Sequence, residues 1–333
     1  MSSLPRITVL TESDLRSCVQ LDEAALLAVE DGFTRLAQGK TTVPPIMMIP
    51  VPERHGEVDI KSAYVQGLDC FAVKIASGFF DNRRKGLPSG SGMMVVVSAE
   101  TGFPLAVLLD NGYLTDLRTA LAGAIAGKYL ARESIDVVGI IGAGVQGRFQ
   151  ARALRLVRDF SRILAFDTDA ATLERYVQDM TADSGLEVIA APDPGYVVRE
   201  SDVVVTATPS REPVVQAKWL HSGLHLTAMG SDSEGKQELE PEVLQRADRV
   251  ICDKRSQCFQ LGELRHAKNA GVIDETHDIA ELGELAAGLR RGRTRDAEIT
   301  VCDLTGVGVQ DTAIALLAYR KAKEMELGLT VGG

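Results

Sequence analysis

A glycine-rich G-x-G-x-x-G turn behind an apolar strand, strands and helices alternating after it, and a strand-rich stretch before it predict an α/β fold. The class is a Rossmann-type parallel sheet inserted in an α+β domain. The spacing sets the inserted domain at residues 128–304, with residues 1–127 and 305–333 forming the domain that surrounds it.

Residues 22–38 (DEAALLAVEDGFTRLAQ) bring Ala25, Leu26, Val29, Phe33, Leu36 and Ala37 to one helical face. Asp22 can cap the start, and Gly39 follows the end. The texture then changes to short apolar or alternating runs: VPPIMMIPV, EVDIKSAYV, CFAVKIAS and GMMVVVSAETGFPLAVLLD. Glycine, proline and polar turns split them, so they read as strands of a hairpin-connected sheet, with SAETGF as one turn. An alanine-rich helix begins at TDLRTALAGAIAGKYLA. DVVGIIG is a strand and 145–158 a helix; RILAFD is a strand and 170–180 a helix. SDVVVTAT, GLHLTAMG, DRVICD and EITVCD are further strands of a sheet covered on both faces. GVQDTAIALLAYRKAKEM is a closing helix that returns to the first domain.

Composition narrows the functional classes. At 45% hydrophobic and 25% charged, the chain is ordinary globular protein. A net charge of −10 argues against a nucleic-acid partner, which calls for a basic face. The one dense basic run, Arg290, Arg291, Arg293 and Arg295, reads as a solvated loop. No stretch reaches the ~18 apolar residues of a membrane span, and MSSLPRITVLTESDLR lacks the features of a signal peptide. The five cysteines, Cys18, Cys70, Cys252, Cys258 and Cys302, are scattered without C-x-x-C. A reduced, cytoplasmic protein is the default expectation.

In GAGVQG, Gly142 permits the tight turn, Gly144 lets the backbone approach a pyrophosphate, and Gly147 lets the helix pack on the strand. The helix start offers unpaired N–H groups and a positive dipole end. A second strand ends in Asp167, at the spacing for holding a ribose hydroxyl. Thr168 and Asp169 follow with no arginine, which favours NAD over NADP.

GLHLTAMGSDSEGKQELEPEVL carries Asp232 in a loop at a strand's C-terminal edge, where open α/β sheets bind ligands. A carboxylate there serves as a general acid or base, or else is a surface or capping residue. Lys74 lies inside the apolar run FAVKIAS and is costly to bury unless it meets an anion; an outward-pointing strand lysine is the plainer reading. Arg118 could clamp a carboxylate. His221 and His225 are four apart, but Gly223 lies between them and a strand follows, so no metal site is expected. Hydrolase and kinase motifs are absent.

Taken in order, LTDLRTALAGAIAGKYLA, GIIGAGVQGRFQ, AMGSDSEGKQEL and LTGVGVQDTAIA resemble the ornithine cyclodeaminase/mu-crystallin family over nearly the whole chain. GEVDIKSAY, SGFFDN and TAMGSD resemble its ectoine-utilisation branch. The resemblance implies a homodimer, with the surrounding domain serving substrate binding and dimerisation. It places Lys74 and Arg118 on the substrate carboxylate, Asp232 as acid/base, and Lys74 beside it as a catalytic candidate. Ser89, Arg118, Val145, Gln146, Asp167, Thr208, Ala228, Met229 and Lys236 fall on or near cofactor contacts, together with the three glycines; Thr305 falls near the substrate. Three positions depart from the pattern. Met47 stands where many members carry a carboxylate-binding arginine. Asp59 stands where cyclodeaminases hold the distal amine, and Lys61 where relatives often have methionine. Asp59 and Lys61 share a strand face, so they either line the pocket or pair with each other.

The implied activity is NAD-dependent oxidoreduction at the α-carbon of an amino acid or its imine. Lys61 points toward an acidic substrate such as aspartate or iminosuccinate. A cyclodeaminase that recycles its NAD in place is the alternative, and a silent ligand-binding protein of the mu-crystallin kind is an alternative of another class.

Overall fold

The computed structural model describes residues 5–332, Arg83 through its backbone alone. The chain first runs β1 (Ile7–Thr11), α1 (Glu12–Cys18), α2 (Glu23–Ala37), β2 (Thr41–Thr42), β3 (Met47–Val51), β4 (Gly56–Val65), β5 (Cys70–Phe79), β6 (Gly90–Ser98), β7 (Pro104–Leu109) and α3 (Tyr113–Leu130). Then follow β8 (Val137–Ile141), α4 (Val145–Leu154), β9 (Arg162–Phe166), α5 (Ala170–Ser184), β10 (Glu187–Ala190), α6 (Pro194–Glu200), β11 (Val203–Thr206) and β12 (His225–Ala228). After α7 (Pro241–Arg246) come β13 (Arg249–Cys252), α8 (Arg255–Leu261), α9 (Glu263–Asn269), β14 (Ala280–Glu281), α10 (Leu282–Ala286) and β15 (Thr300–Asp303). α11 (Gly308–Glu324) and β16 (Leu329–Val331) close the chain.

Two compact units result: Met1–Arg118 with Val307–Gly333, and Thr119–Gly306. The first division falls inside α3, earlier than the 127/128 boundary read from the sequence.

In the first unit the sheet order is β16-β1-β7-β6-β5-β4-β2, with β3 paired to β4. One face carries Ala63, Val65, Cys70, Ala72, Met94 and Val96, all buried. α11 lies across β4 and β5 on that side and packs on α2. Thr312 fixes it in place: its hydroxyl donates to the Ala63 carbonyl at 2.7 Å and accepts from the Ala72 N–H at 3.2 Å. Gly308 is obligatory there, because a Cβ would land on the Ser62 carbonyl. The side chain of Asp22 caps α2 by accepting from the Ala25 N–H, and Gly39 beyond its end takes a positive φ of 70°. The opposite face of the sheet stays apolar and exposed at Met47, Ile49, Tyr64, Met93 and Leu109.

The second unit is a parallel sheet in the order β10-β9-β8-β11-β12-β15-β13-β14. The order reverses between β8 and β11, which opens a crevice at the carboxyl ends of those two strands. The core beneath is aliphatic, including Val197, Val204, Leu226, Leu239, Val243 and Val301. The arginine run is not simply a solvated loop. The Arg293 guanidinium donates to the carbonyls of Leu130, Leu224 and Asp296 and to the Thr300 hydroxyl, lacing the loop to the sheet. All five cysteines are reduced and buried. Among the described residues no helix is long and apolar enough to cross a membrane; Met1–Leu4 of the N-terminal stretch lie outside the described residues.

Candidate active site

In the first unit, Lys61, Lys74, Arg118 and Asp311 gather on the buried face. The antiparallel register sets Lys61 of β4 directly opposite Lys74 of β5, and both are almost fully buried. The β7–α3 turn passes through Asn111 (φ 51°) and Gly112 (φ 90°). Asp110 then accepts from the Leu114 N–H at 2.9 Å, starting the helix that carries Arg118. Asp311, on the first turn of α11, completes the cluster with no exposed surface. Its Oδ1 lies 3.2 Å from Lys74 Nζ and 2.9 Å from Arg118 Nε.

Lys74 therefore points inward and does meet an anion, but the anion belongs to the protein itself. Burial pushes its ammonium down to about 7, and Arg118 is the next cause; Asp311 opposes them and Lys61 adds to them. A site in which Asp311 is shared between two neighbouring cations can accept a carboxylate without stranding it. Asp311 escaped the sequence reading although it sits in the quoted GVQDTAIA stretch.

In the second unit the glycine turn has the geometry its spacing implied. Gly142 takes φ +102°, and a Cβ on it would come 2.5 Å from the Ala207 carbonyl. Gly144 caps α4 without a side chain, and a Cβ on Gly147 would strike the Gly142 carbonyl. Val145, first residue of α4, is exposed, and Gln146 follows it. Asp167 lies just past β9; its Oδ2 accepts from the Ala143 N–H and its Oδ1 from the Asp169 N–H, both at 2.9 Å. Its carboxylate is thereby fixed beside the turn, with lone pairs left for a ribose hydroxyl. The residues present thus fit a dinucleotide: an uncluttered helix start, an acid at the second strand, and no basic residue following it.

The β12 edge adds Ala228 and Met229, both buried, and then the loop that carries Asp232. Lys236 Nζ lies 2.7 Å from Asp232 Oδ1. The loop closes on itself: the Ser231 hydroxyl donates to the Lys236 carbonyl at 2.8 Å, and His266 Nε2 donates to the same oxygen at 2.7 Å. Asp232 is partly exposed and thus open to a proton donor or acceptor. The Thr208 hydroxyl is committed to Glu238, leaving its methyl toward Gly142. His225 is a core residue: its ring bonds Thr300 and Thr227, and burial depresses its pKa to about 3.

Other expected residues fall differently. Met47 is 59% exposed and pairs with Ile60, so the pleat turns it to the face opposite Lys61 and Lys74. Its neighbour Met48, opposite Asp59, shares the face of Lys61 and Lys74. Asp59 and Lys61 share a face as alternation requires, with Asp59 half-buried. Thr305 belongs to the second unit; its hydroxyl donates to Asp253 at 3.0 Å and accepts from Gln257 at 2.7 Å, so it fastens the loop after β15. Ser89 lies in the first unit just before β6, its carbonyl accepting from the Phe79 N–H.

The chain is similar to known proteins over nearly its whole length. Residues 7–326 match the ornithine cyclodeaminase/mu-crystallin family. A Δ1-pyrroline-2-carboxylate reductase from Thermococcus litoralis, solved with NADH and L-proline, is similar at a TM-score of 0.93 and 32% identity, covering 97% of this chain and 100% of that one. An archaeal alanine dehydrogenase dimer with bound NAD gives 0.90 and 37%, covering 98% and 99%. The iminosuccinate reductase of Paracoccus denitrificans with NAD+ gives 0.89 and 32%, covering 98% and 100%.

Proposed function

The chain belongs to the ornithine cyclodeaminase/mu-crystallin family, and on that footing we propose that it is an NAD-dependent oxidoreductase acting on the α-carbon of an amino acid or its imine. The observation that carries this reading is the buried convergence of Lys74 and Arg118 on Asp311, a cation pair built to receive a carboxylate. The second unit supplies a crevice that fits NAD. When bound, NAD(H) accepts or supplies the hydride at the α-carbon.

Lys74 and Arg118 hold the α-carboxylate and fix which atom is presented. Asp232 exchanges a proton with the substrate nitrogen or with an attacking water, and Lys236 keeps its carboxylate oriented. Asp167 holds the adenine ribose and selects NAD over NADP. Lys61, opposite Lys74, favours a substrate with a second carboxylate, of the aspartate or iminosuccinate kind. The similarity to iminosuccinate reductase supports that choice. The cyclodeaminase outcome is the second reading, supported by Asp59 on the same strand face as Lys61.

The working molecule is a homodimer in this reading. The exposed apolar face of the first unit's sheet supports it, as does the dimeric state of the similar alanine dehydrogenase. A reduced intracellular setting fits the five buried thiols.

The test is NADH consumption with ammonia and a panel of 2-oxo acids, beside cyclic imines, and L-ornithine assayed with NAD. Consumption with oxaloacetate plus ammonia supports the acidic substrate. Efficient conversion of ornithine to proline without net NADH formation would overturn the reductase reading. In the active assay, Asp232→Asn should lose ~10²–10⁴-fold in turnover while still binding NADH.

A further inference from the structure

We propose that Glu238 is the positioning residue of the dinucleotide crevice, a buried carboxylate that ties the end of β11 to the end of β12 and sets the wall on which the cofactor docks. The inference rests on reading that crevice as an NAD site.

Glu238 lies outside any helix or strand and has no exposed surface. Its Oε1 accepts from the Thr208 N–H at 2.7 Å and from the Thr208 hydroxyl at 2.8 Å. Its Oε2 accepts from the Thr206 hydroxyl and from the Gly230 N–H, both at 2.7 Å. Thr206 is the last residue of β11, and Gly230 follows β12 by two. One carboxylate thus holds two neighbouring strand ends at the carboxyl edge of the sheet, beside the β8–β11 reversal.

The hold reaches the glycine turn. The Ala207 carbonyl, between the two threonines, is the atom that leaves Gly142 no room for a Cβ. A shift of the Thr206–Thr208 segment would therefore move the floor under the pyrophosphate turn. Gly230 is equally constrained, since a Cβ on it would strike the Thr208 carbonyl and the Glu238 carboxyl.

Glu238 is itself anchored from both sides. Its carbonyl accepts from the N–H groups of Val214 and Val215 at 2.7 and 3.0 Å. The buried Glu263 accepts from the Glu238 N–H at 2.7 Å and the Leu239 N–H at 3.2 Å. All four groups on the Glu238 carboxylate donate, and only an acceptor on both oxygens satisfies them. An amide in its place has one oxygen and one NH2. Whichever way it is turned, the NH2 faces either the Thr208 N–H or the Gly230 N–H, and neither backbone donor can reverse. Glu238→Gln therefore keeps the volume and breaks the tie to one strand end.

The experiment is NADH titration by fluorescence, with imino-acid KM measured at saturating NADH. Glu238→Gln should weaken NADH binding about tenfold, as loss of a charge-assisted hydrogen bond does, with the imino-acid KM within about twofold of wild type. Thr206→Val removes one donor and keeps the shape; it should weaken NADH binding by about threefold, a smaller effect in the same direction. Unchanged NADH affinity in a folded Glu238→Gln protein overturns the proposal. If that variant does not fold, unchanged affinity in Thr206→Val overturns it. An equal rise in imino-acid KM also overturns it, because that marks general loosening. Wild-type protein that does not bind NADH overturns the NAD reading and the brace with it.

Discussion

Asp311 is the residue on which the proposed carboxylate clamp turns. It alone among the clamp residues is an acid with no exposed surface, and it touches both Lys74 and Arg118. With Lys74 titrating at about 7, its cationic form is present below that pH and lost above it. Affinity for a carboxylate substrate should accordingly fall as pH rises through neutrality. Asp311→Asn removes the acid that pulls the ammonium's pKa upward, so the descending limb should move to lower pH. At pH 7 the KM for the imino acid should rise roughly tenfold, as loss of a buried charge partner does, with NADH affinity unchanged. A pH–KM profile that superimposes on wild type would remove Asp311 from this role. The sequence singled out Lys74 and Arg118 because each is anomalous locally, a cation in an apolar run and a cation among small residues. Asp311 is not anomalous locally. An acid in the first turn of a helix is ordinary, and only the packing of α11 across β4 and β5 gives it its task. Glu238 was hidden for the same reason.

At the scale of the element, what was legible depended on length and period. The glycine turn, Asp167 and the main strands could be read because their signals are contiguous in sequence. β10, β14, β16 and the short helices α6 to α10 are too brief to show a period. β1 and α1 carry one local signal, the reciprocal cap of Thr11 and Asp14, but they too are short. Met47 illustrates a sharper failure. In a strand an offset of one residue exchanges the faces, so a position matched to a neighbouring pattern by spacing alone can land on the wrong side. Its true face belongs to the exposed apolar layer with Ile49, Met93 and Leu109. A charge placed there should act on assembly and spare the fold. If the proposed dimer forms through this face, Met93→Lys should give monomer in light scattering, with far-ultraviolet circular dichroism unchanged. A persistent dimer would move the proposed interface elsewhere.

At the scale of the whole molecule, the second unit keeps a store of acids in its interior. Asp253, Glu263 and Asp303 are all buried, and burial raises the Asp303 carboxyl to about 7, with Asp253 adding to it. The folded form then binds more protons than the unfolded form between about pH 4 and 7. Stability contributed by this group is present at the acid end of that window and is lost as pH rises through it. Asp303→Asn, neutral throughout, should flatten that slope and melt higher than wild type at pH 8, by roughly 2–4 °C for each kcal/mol released. An identical slope in the variant would exclude Asp303 as its source. The division of the chain has a consequence for how the protein is made. The first unit is assembled from both ends of the sequence, with β1 paired to β16 and Lys74 covered by α11. A ribosome releases residues 119–306 before it releases either of those partners. During synthesis the inserted unit can therefore mature first, while the opening sheet waits with its inward lysines and arginine still uncovered. A chain arrested at Gly306 should yield a protease-resistant 119–306 fragment and a sensitive 1–118 segment, and resistance of both would show that the early sheet closes without its last helix.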